Sequence, residues 1–564
     1  MKRPETKDTA GLDLQSQEQL LPFLLNPKSY AHRPRSVRLV QTHASFVFLT
    51  PPFVFKVKKP VNFGFLDFST LEKRRHFCER EVSLNRRLAP TVYLGVVPIS
   101  ARGGQFAFGE GEQVVEYAVK MRILSERHFL DQRLRRGEVA PEDLDRLAVV
   151  LRDFYLNQRP TEEIESWGRI DRLRISTDEN FRQAEPFVSA PVESLRPEDQ
   201  KGVSNAGHSN LTRPAFETLQ FYTREFYRRR SQLLKSRVRE KRILDCHGDL
   251  HLEHVHLTPR TLSIFDCIEF NDRFRYVDVA NDIAFLAMDL DFQGRPDLAR
   301  YFAGRMATEL QDEGMPLLMD FYKCYRAFVR GKVESLHCLA PTAPEEERRV
   351  AAERARRYFR LALQYTVAGS HPLVLAVMGR IASGKTTLAQ ALGAELGWEV
   401  YSSDYVRKKL AGFPLFERSS AAARIRLYSR EMTEHTYDRL LTSAAIQVQK
   451  GQPVILDATF AQRALRERLA ERFGRRGVAW CVVEAQASDA AVRRRLSARE
   501  TKADEISDAR REDYAMLTRL YEPPVELPLE HYVRVRTTNR LDATVTKALQ
   551  SLACLQVKAS GNAP

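Results

Sequence analysis

The sequence predicts a protein of mixed α/β and α+β class in two parts: a two-lobed region whose small β lobe comes first, then a doubly wound parallel sheet with helices on both faces. Three observations lead there. At 564 residues the chain is longer than one hydrophobic core serves, so it divides into domains. From residue 371 onward, short apolar runs alternate with helix-forming stretches, the order of βαβ units. Before that point, strand-forming runs come first and helix-forming runs last.

In the first part, residues 36–58 read as strands because apolar and polar residues alternate, most clearly in Phe53-Val54-Phe55-Lys56-Val57-Lys58. Residues 92–99 and 113–121 complete the β lobe, and helical patterns follow. The stretch 191–213, with its Pro, Gly, Ser and Asn, is an expected loop. From Pro344 to Leu363 the chain is rich in Glu, Arg and Ala and reads as a charged helix, which Ala368-Gly369-Ser370-His371-Pro372 breaks. The expected division is therefore a polar extension over 1–30, a first domain over 31–343, a helical linker over 344–370, a second domain over 371–557 and a tail over 558–564. Strands of the second domain are expected at 373–378, 399–402, 454–456, 478–484 and 532–536.

Gly379-Arg380-Ile381-Ala382-Ser383-Gly384-Lys385-Thr386-Thr387 fits the pattern Gly-x-x-x-x-Gly-Lys-Thr between an apolar strand and a helix-forming run. Glycines at both ends let the backbone curl so that its N–H groups and the helix N-terminus face anionic oxygens. Lys385 then reaches the outer phosphates and Thr386 ligates Mg2+. The expected ligand is a nucleoside triphosphate. Asp404 follows the second strand, at the sheet edge where ligands bind, and is the candidate general base for an acceptor hydroxyl. Arg407, one turn on, is expected on the same face, holding an acidic substrate group. Asp457 ends the third strand and reads either as a carboxylate orienting Mg2+ or as a cap for the next helix. Arg495 and Arg499 precede a flexible-looking stretch, 502–508, and read either as lid arginines or as a solvated helix face. Together these residues resemble the small-molecule and polynucleotide kinases of the phosphate-loop class, in which Asp-x-x-Arg follows strand two.

A second signature lies upstream. His247-Gly248-Asp249 forms a loop, and Asp266 follows on a later strand; phosphoryl transfer needs one carboxylate for the acceptor hydroxyl and another for Mg2+. This resembles the aminoglycoside phosphotransferase and choline kinase family, relatives of the protein kinases. The resemblance implies a two-lobed protein-kinase-like fold, Asp249 as base, Asp266 as metal ligand and Asp278 as the brace of the catalytic loop. It further implies Lys56 on the α and β phosphates, Val54 facing the adenine and Glu81 as the ion-pair partner of Lys56, with Lys58 and Glu79 as substitutes. His254 stands where the family has a second metal-binding Asn, and an imidazole replaces a hard oxygen ligand poorly. That leaves open a one-metal site, recruitment of Glu253, use of manganese, or weak catalysis. His247, His251, His254 and His256 lack the paired spacing of a zinc site, and His256, alternating with Val255 and Leu257, reads as strand surface.

The whole chain resembles bacterial fusions of such a phosphotransferase-like domain with an AAA-type P-loop kinase-like domain. Hydrophobic content of 43% and charged content of 29% are those of a soluble globular protein. No apolar run is long enough to cross a bilayer, and seven cysteines without a Cys-x-x-Cys pair suit reduced thiols; a cytoplasmic protein with no membrane partner is expected. The net charge of +15 is spread over both parts without a long basic block, so a nucleic-acid partner is not favoured. The leading expectation is a bifunctional enzyme that uses ATP and Mg2+ to phosphorylate hydroxyl groups of small molecules. Two alternatives stand beside it: a first half that only senses nucleotide or acts as a scaffold, and a 5'-polynucleotide kinase.

Overall fold

The computed structural model describes residues 17–189, 209–339, 343–417, 419–499, 506, 511–512, 514–537 and 540–559. The chain forms two compact units that do not follow its linear order. Unit 1 joins residues 1–173 to 233–316, and unit 2 joins 174–232 to 317–564.

Unit 1 opens with a six-stranded antiparallel sheet made of β1 (Arg38–Gln41), β2 (Ser45–Thr50), β3 (Phe53–Lys58), β4 (Tyr93–Arg102), β5 (Gln105–Phe108) and β6 (Gln113–Arg122), in the order β1-β2-β3-β6-β4-β5. In β3 the two-residue period sorts the side chains. Phe55 and Val57 enter a core with Phe46, Phe48, Leu20, Leu24 and Tyr30, while Val54, Lys56 and Lys58 share the opposite face. Between β3 and β4 runs α1 (Leu71–Asn85), started by Thr70, whose hydroxyl accepts the Lys73 N–H. Its buried face is polar: Arg74, Glu81 and Asn85 are each no more than 1% exposed. Charges this deep survive only when paired. Arg74 meets Glu116, which Gln17 also contacts, and Glu81 meets lysines of β3.

The rest of unit 1 contains α2 (Pro141–Leu156), the short strands β7 (Ile243–Asp245), β8 (Val255–Leu257), β9 (Leu262–Ile264) and β10 (Tyr276–Asp278), and α3 (Val279–Phe292). β7 pairs with β10 and β8 with β9, both antiparallel, and these two ribbons carry the loops at 246–254 and 265–275. Almost every residue of α3 is buried, including Asp282 and Asp289. Arg237, 1% exposed, is clamped between Asp278 and Asp312.

Unit 2 is built on a five-stranded parallel sheet: β11 (Leu373–Met378), β12 (Glu399–Ser402), β13 (Val454–Asp457), β14 (Ala479–Gln486) and β15 (Tyr532–Arg536), ordered β12-β13-β11-β14-β15. All six residues of β11 are buried, as expected of a central strand covered on both faces. The chain leaves β11 towards one edge and later crosses to the other, so a crevice opens at the carboxyl ends of β11 and its neighbours. The charged helix foreseen as a linker, α4 (Glu345–Ala368), is no free connector. Its Ala355, Tyr358, Phe359, Ala362 and Leu363 face is buried, and it packs against helices Arg213–Arg229 and Leu541–Ala559 of the same unit. Gly369, at φ 66°, ends it. The expected loop 191–213 falls outside the described residues up to 208, and helix Arg213–Arg229 begins at its end, capped by Thr212.

Candidate functional site

In unit 1 the residues singled out from the sequence converge. Lys56 Nζ lies 2.9 Å from Glu81 Oε1 and 2.9 Å from Asp266 Oδ1. Lys58, the substitute, shares Glu81 through its other oxygen at 2.6 Å and also contacts Glu269. Both lysines reach one glutamate because they are two residues apart on the same face of β3. Burial works against the Lys56 ammonium, but Asp266, Glu81 and Glu269 outweigh it and hold its pKa well above the ordinary value. Burial likewise opposes the Asp266 charge; Lys56 and His254 outweigh it and keep that carboxyl below the usual range. Asp266 sits at φ 61°, a conformation that costs most L residues energy and that Asp tolerates better than others.

The loop at 246–254 is held by α3. Asp282 Oδ2 accepts the His247 N–H and the Tyr155 hydroxyl, both at 2.9 Å, and Oδ1 accepts the Gly248 N–H at 2.9 Å. Seven residues along the same helix, Asp289 accepts the Leu252 N–H at 3.0 Å. The brace is therefore Asp282 and not Asp278, whose carboxylate is occupied by Arg237 and by the Ala280 N–H. An earlier signal existed: carboxylates at positions 282 and 289, set among the apolar residues of this helix, must find partners inside. Gly248 has φ 84°, and a Cβ there would stand 2.8 Å from the Phe274 carbonyl oxygen, so the turn requires glycine. His247 donates from Nε2 to the Phe265 carbonyl at 3.0 Å, and burial lowers its pKa to about 4.

His254 lies between the two carboxylates. Its Nδ1 is 2.9 Å from the Asp249 carbonyl oxygen and its Nε2 is 3.5 Å from Asp266 Oδ2. His251 Nε2 is 3.5 Å from Asp249 Oδ2, so Asp249, His251 and His254 form one group of potential metal donors. The sequence spacing concealed this group, which the turn Leu252–His254 assembles. Two imidazoles fit Mg2+ badly. His256 is not strand surface: it is buried against the rings of His128 and Phe129.

In unit 2 the curled loop is as expected. Gly379 has φ 151°, and a Cβ there would come within 2.5 Å of the Ala485 carbonyl oxygen; Ala382 and Gly384 are also at positive φ, 53° and 92°. The loop leads into α5 (Lys385–Leu396), with Gly384 as its N-cap and Lys385 buried. Burial raises the pKa of Asp457, and Asp404 nearby adds to that, against the pull of Lys385 and of the Thr386 and Ser402 hydroxyls beside it. Asp457 Oδ1 is buried without a hydrogen-bond partner among the described residues. A hydroxyl, a second hydroxyl and an orphaned carboxylate oxygen are all hard donors, so Mg2+ fits here, with Thr386 and Asp457 as its holders. Thr387 is exposed on the first turn of the helix.

Three arginine expectations change. Arg380 reaches sideways to Asp489 at 3.1 Å, and Ile381 and Ala382 pack on Val492 and Leu496. Arg407 is buried; its Nη1 donates to the Leu427 carbonyl at 2.8 Å and to Thr433 Oγ1 at 3.1 Å, and it lies over the Tyr428 ring. Through Nη1 it ties helices together, while its Nε is buried without a hydrogen-bond partner among the described residues. Arg495 donates to the Ala382 and Ser383 carbonyls at 3.3 and 2.9 Å and to Thr537 Oγ1 at 3.1 Å. It grips the loop from behind, which a lid arginine would not do. Since carbonyl and following N–H point opposite ways across a trans peptide, this grip turns the Gly384 N–H away from Arg495. The side chain of Arg499, and 502–508 apart from Ile506, lie outside the described residues. Ser402 and Thr537 were not foreseen.

Residues 374–524 match the family model described as "AAA domain". Over 433 residues the chain is 33% identical to "Uncharacterized protein Rv2004c" of Mycobacterium tuberculosis (strain ATCC 25618 / H37Rv), which covers 76% of this chain and 80% of that one. The same figures hold for "Uncharacterized protein Mb2027c" of Mycobacterium bovis (strain ATCC BAA-935 / AF2122/97). Among solved structures, a gluconokinase from Sinorhizobium meliloti 1021 is similar at 18% identity and TM-score 0.26, over 34% of this chain and 98% of that chain. The Mycobacterium tuberculosis APS kinase CysC, in complex with AMPPNP and APS, is similar at 17% identity and TM-score 0.25, over 32% and 98%. The chain belongs to the family of these two mycobacterial proteins and carries an AAA-type P-loop domain within it.

Proposed function

We propose that this protein is an ATP-dependent phosphotransferase whose P-loop unit moves the γ-phosphoryl of ATP to a hydroxyl group of a small molecule. The observation that carries the reading is the buried Asp457, with one oxygen unpartnered, shared with Thr386 and facing Lys385 at the mouth of a glycine loop. Thr386 and Asp457 would hold Mg2+ here, and the ion would supply charge neutralisation on the phosphate oxygens. Lys385 supplies the matching charge on the protein side. Asp404, close enough to Asp457 to raise its pKa, accepts the acceptor's proton, and Arg495 keeps the loop carbonyls turned away from the anion.

For unit 1 we read a protein-kinase-like, phosphotransferase-like fold in which Lys56, paired with Glu81, meets the α and β phosphates and Asp249 faces the acceptor. The Lys56–Glu81–Asp266 chain of contacts supports that reading. A second reading, in which unit 1 binds nucleotide without transferring phosphate, is favoured by one observation: His254 stands between Asp249 and Asp266. Turnover of ATP by wild type, Lys385→Ala and Asp249→Asn against sugars, amino alcohols and nucleosides tests both. Loss of all turnover in Lys385→Ala alone selects the second reading, and loss of separate activities in each variant selects the bifunctional one. No ATP consumption with any acceptor refutes phosphoryl transfer.

A further inference from the structure

We propose that Thr459, set in place by the buried hydroxyl of Tyr437, selects the acceptor of unit 2: its O–H donates to an acceptor oxygen other than the one phosphorylated, so the acceptor is a polyhydroxy compound and not an amino alcohol. The proposal rests on phosphoryl transfer by unit 2 and narrows what that unit takes. Thr459 stands two residues past Asp457, where β13 has ended at the crevice, and is partly exposed. Tyr437 lies buried on the helix Arg430–Gln449. Its oxygen accepts the Phe460 N–H at 3.0 Å and is 3.2 Å from Thr459 Oγ1. A phenol has one hydrogen to give. If Thr459 were the donor between the two hydroxyls, the Tyr437 hydrogen would be buried with no partner among the described residues, a costly arrangement. The bonds therefore run from Phe460 N–H to Tyr437 and from Tyr437 O–H to Thr459. Thr459 keeps its own hydrogen, and no described residue accepts it.

The turn that carries Thr459 is held against strain. Phe460 takes φ 41°, a conformation that bulky residues avoid. Tyr437 holds its N–H, Arg466 Nη1 donates to its carbonyl at 2.9 Å, and its ring meets the edge of the Tyr437 ring with centroids 5.1 Å apart. Strain of this kind persists where the surroundings over-determine it, and here it fixes the direction of the neighbouring hydroxyl. Two charges stand close by. Burial raises the Tyr437 pKa and its bonds with Thr459 and Phe460 oppose that; Arg407 also lowers it and Asp404 raises it, so both act on this hydroxyl. In the transfer the attacked hydroxyl gives its proton to Asp404 while its oxygen bonds the γ-phosphorus and the bond to the ADP oxygen breaks. A second oxygen of a polyhydroxy acceptor then completes Thr459. An ammonium has no lone pair for Thr459, is repelled by Arg407, and would occupy the base if it paired with Asp404.

The test uses the full chain carrying Asp249→Asn, so that unit 2 alone is read, with ADP release as the signal. The acceptors are glycerol, erythritol, ribitol, glucose and gluconate on one side and ethanolamine, choline and serinol on the other; serinol is glycerol with its central hydroxyl replaced by an ammonium. The expected result is turnover of one or more polyhydroxy acceptors, with kcat/KM at least about tenfold above that of any amino alcohol. Adding Thr459→Val or Tyr437→Phe raises the KM for the acceptor at least roughly tenfold and leaves the KM for ATP within about twofold, and Thr459→Ser restores the acceptor KM to within about threefold. Amino alcohols used as well as polyhydroxy acceptors, or an acceptor KM unmoved in folded Thr459→Val, overturns the proposal and leaves phosphoryl transfer standing. No ATP consumption with any acceptor refutes transfer by unit 2 and removes the proposal with it. The comparison of acceptors needs no substitution at 459 or 437, so misfolding of those variants does not rescue the proposal.

Discussion

Replacing Asp282 with Asn probes the brace of the 246–254 loop at constant size, because one acceptor oxygen becomes an NH2 donor and the charge is lost. The wild-type carboxylate accepts two backbone N–H groups and one tyrosine hydroxyl, all at 2.9 Å. An amide has one acceptor oxygen, so one side of the substituted side chain must present N–H to a donor. The less costly choice keeps oxygen towards His247 and Tyr155 and turns the amide nitrogen to the Gly248 N–H. A hydrogen bond to a charged group contributes about 1.5–3 kcal/mol, and an orphaned buried donor costs a similar amount. Local opening at Gly248 should therefore become easier by about 2–3 kcal/mol, which accelerates its amide exchange roughly 30- to 150-fold.

The assay is hydrogen–deuterium exchange followed by mass spectrometry on a peptide spanning residues 243–250, with circular dichroism as the control for global folding. Asp278→Asn is the informative comparison, since that carboxylate is held by Arg237 and accepts the Ala280 N–H. Fast exchange in the Asp278 variant together with unchanged exchange in the Asp282 variant would refute the assignment and restore the one implied by family resemblance.

Other outcomes follow from the same geometry. Gly379→Ala should abolish detectable ATP binding by calorimetry, because its Cβ would meet the Ala485 carbonyl at 2.5 Å and Ser383 Oγ at 2.6 Å; binding within about threefold of wild type would contradict the loop geometry. Arg495→Lys, which keeps the charge and loses the planar fork, should weaken ATP about 5- to 30-fold in a fluorescent-nucleotide titration, the effect of losing about 1–2 kcal/mol of loop anchoring. An unchanged dissociation constant means the arginine does not hold the loop. Arg237→Leu leaves Asp278 and Asp312 buried without their cation and should lower the stability of unit 1 by about 3–5 kcal/mol in urea denaturation, and a loss below about 1 kcal/mol would show that the pair is dispensable.

The parallel sheet of unit 2 was readable from sequence because its strands are apolar on both faces and its loop must be glycine at both ends; three of its five strands fall where expected to the residue. In β3 the alternating period placed Lys56 and Lys58 on one face, but period alone does not say which lysine reaches Glu81, and both do. The arginines were the hardest to read. A guanidinium serves equally well as an anion clamp or as a clip for backbone carbonyls, and only tertiary packing showed Arg407 on Leu427 and Arg495 on the phosphate loop. The histidine group was concealed for a different reason. Spacings of three residues between His251 and His254 suit a helix face, a strand or a turn, and the cluster forms only when the turn is held by Asp289 and met by Asp266 from the end of the paired strand. The helix foreseen as a linker buried one face because its alanines repeat at helical spacing, a pattern that its charge had masked.

The two sites solve the same electrostatic problem from opposite starting points. In unit 2, on the proposed reading, Lys385 and the helix N-terminus would meet a triphosphate beside Asp457 and Asp404, and oxygen donors from Thr386 and Asp457 suit a hard ion. In unit 1, Lys56 and Lys58 pair with Glu81, Glu269 and Asp266, three carboxylates against two ammonium groups. Lys56 is already engaged by Glu81 and Asp266, so an incoming phosphate must compete with Asp266 for it. On the proposed reading, an anionic nucleotide in unit 1 would meet a cluster with formal excess negative charge, and its affinity would depend on a cation that neutralises Asp266. By linkage, an ion bound there would strengthen nucleotide binding by the same factor by which nucleotide would strengthen the ion's.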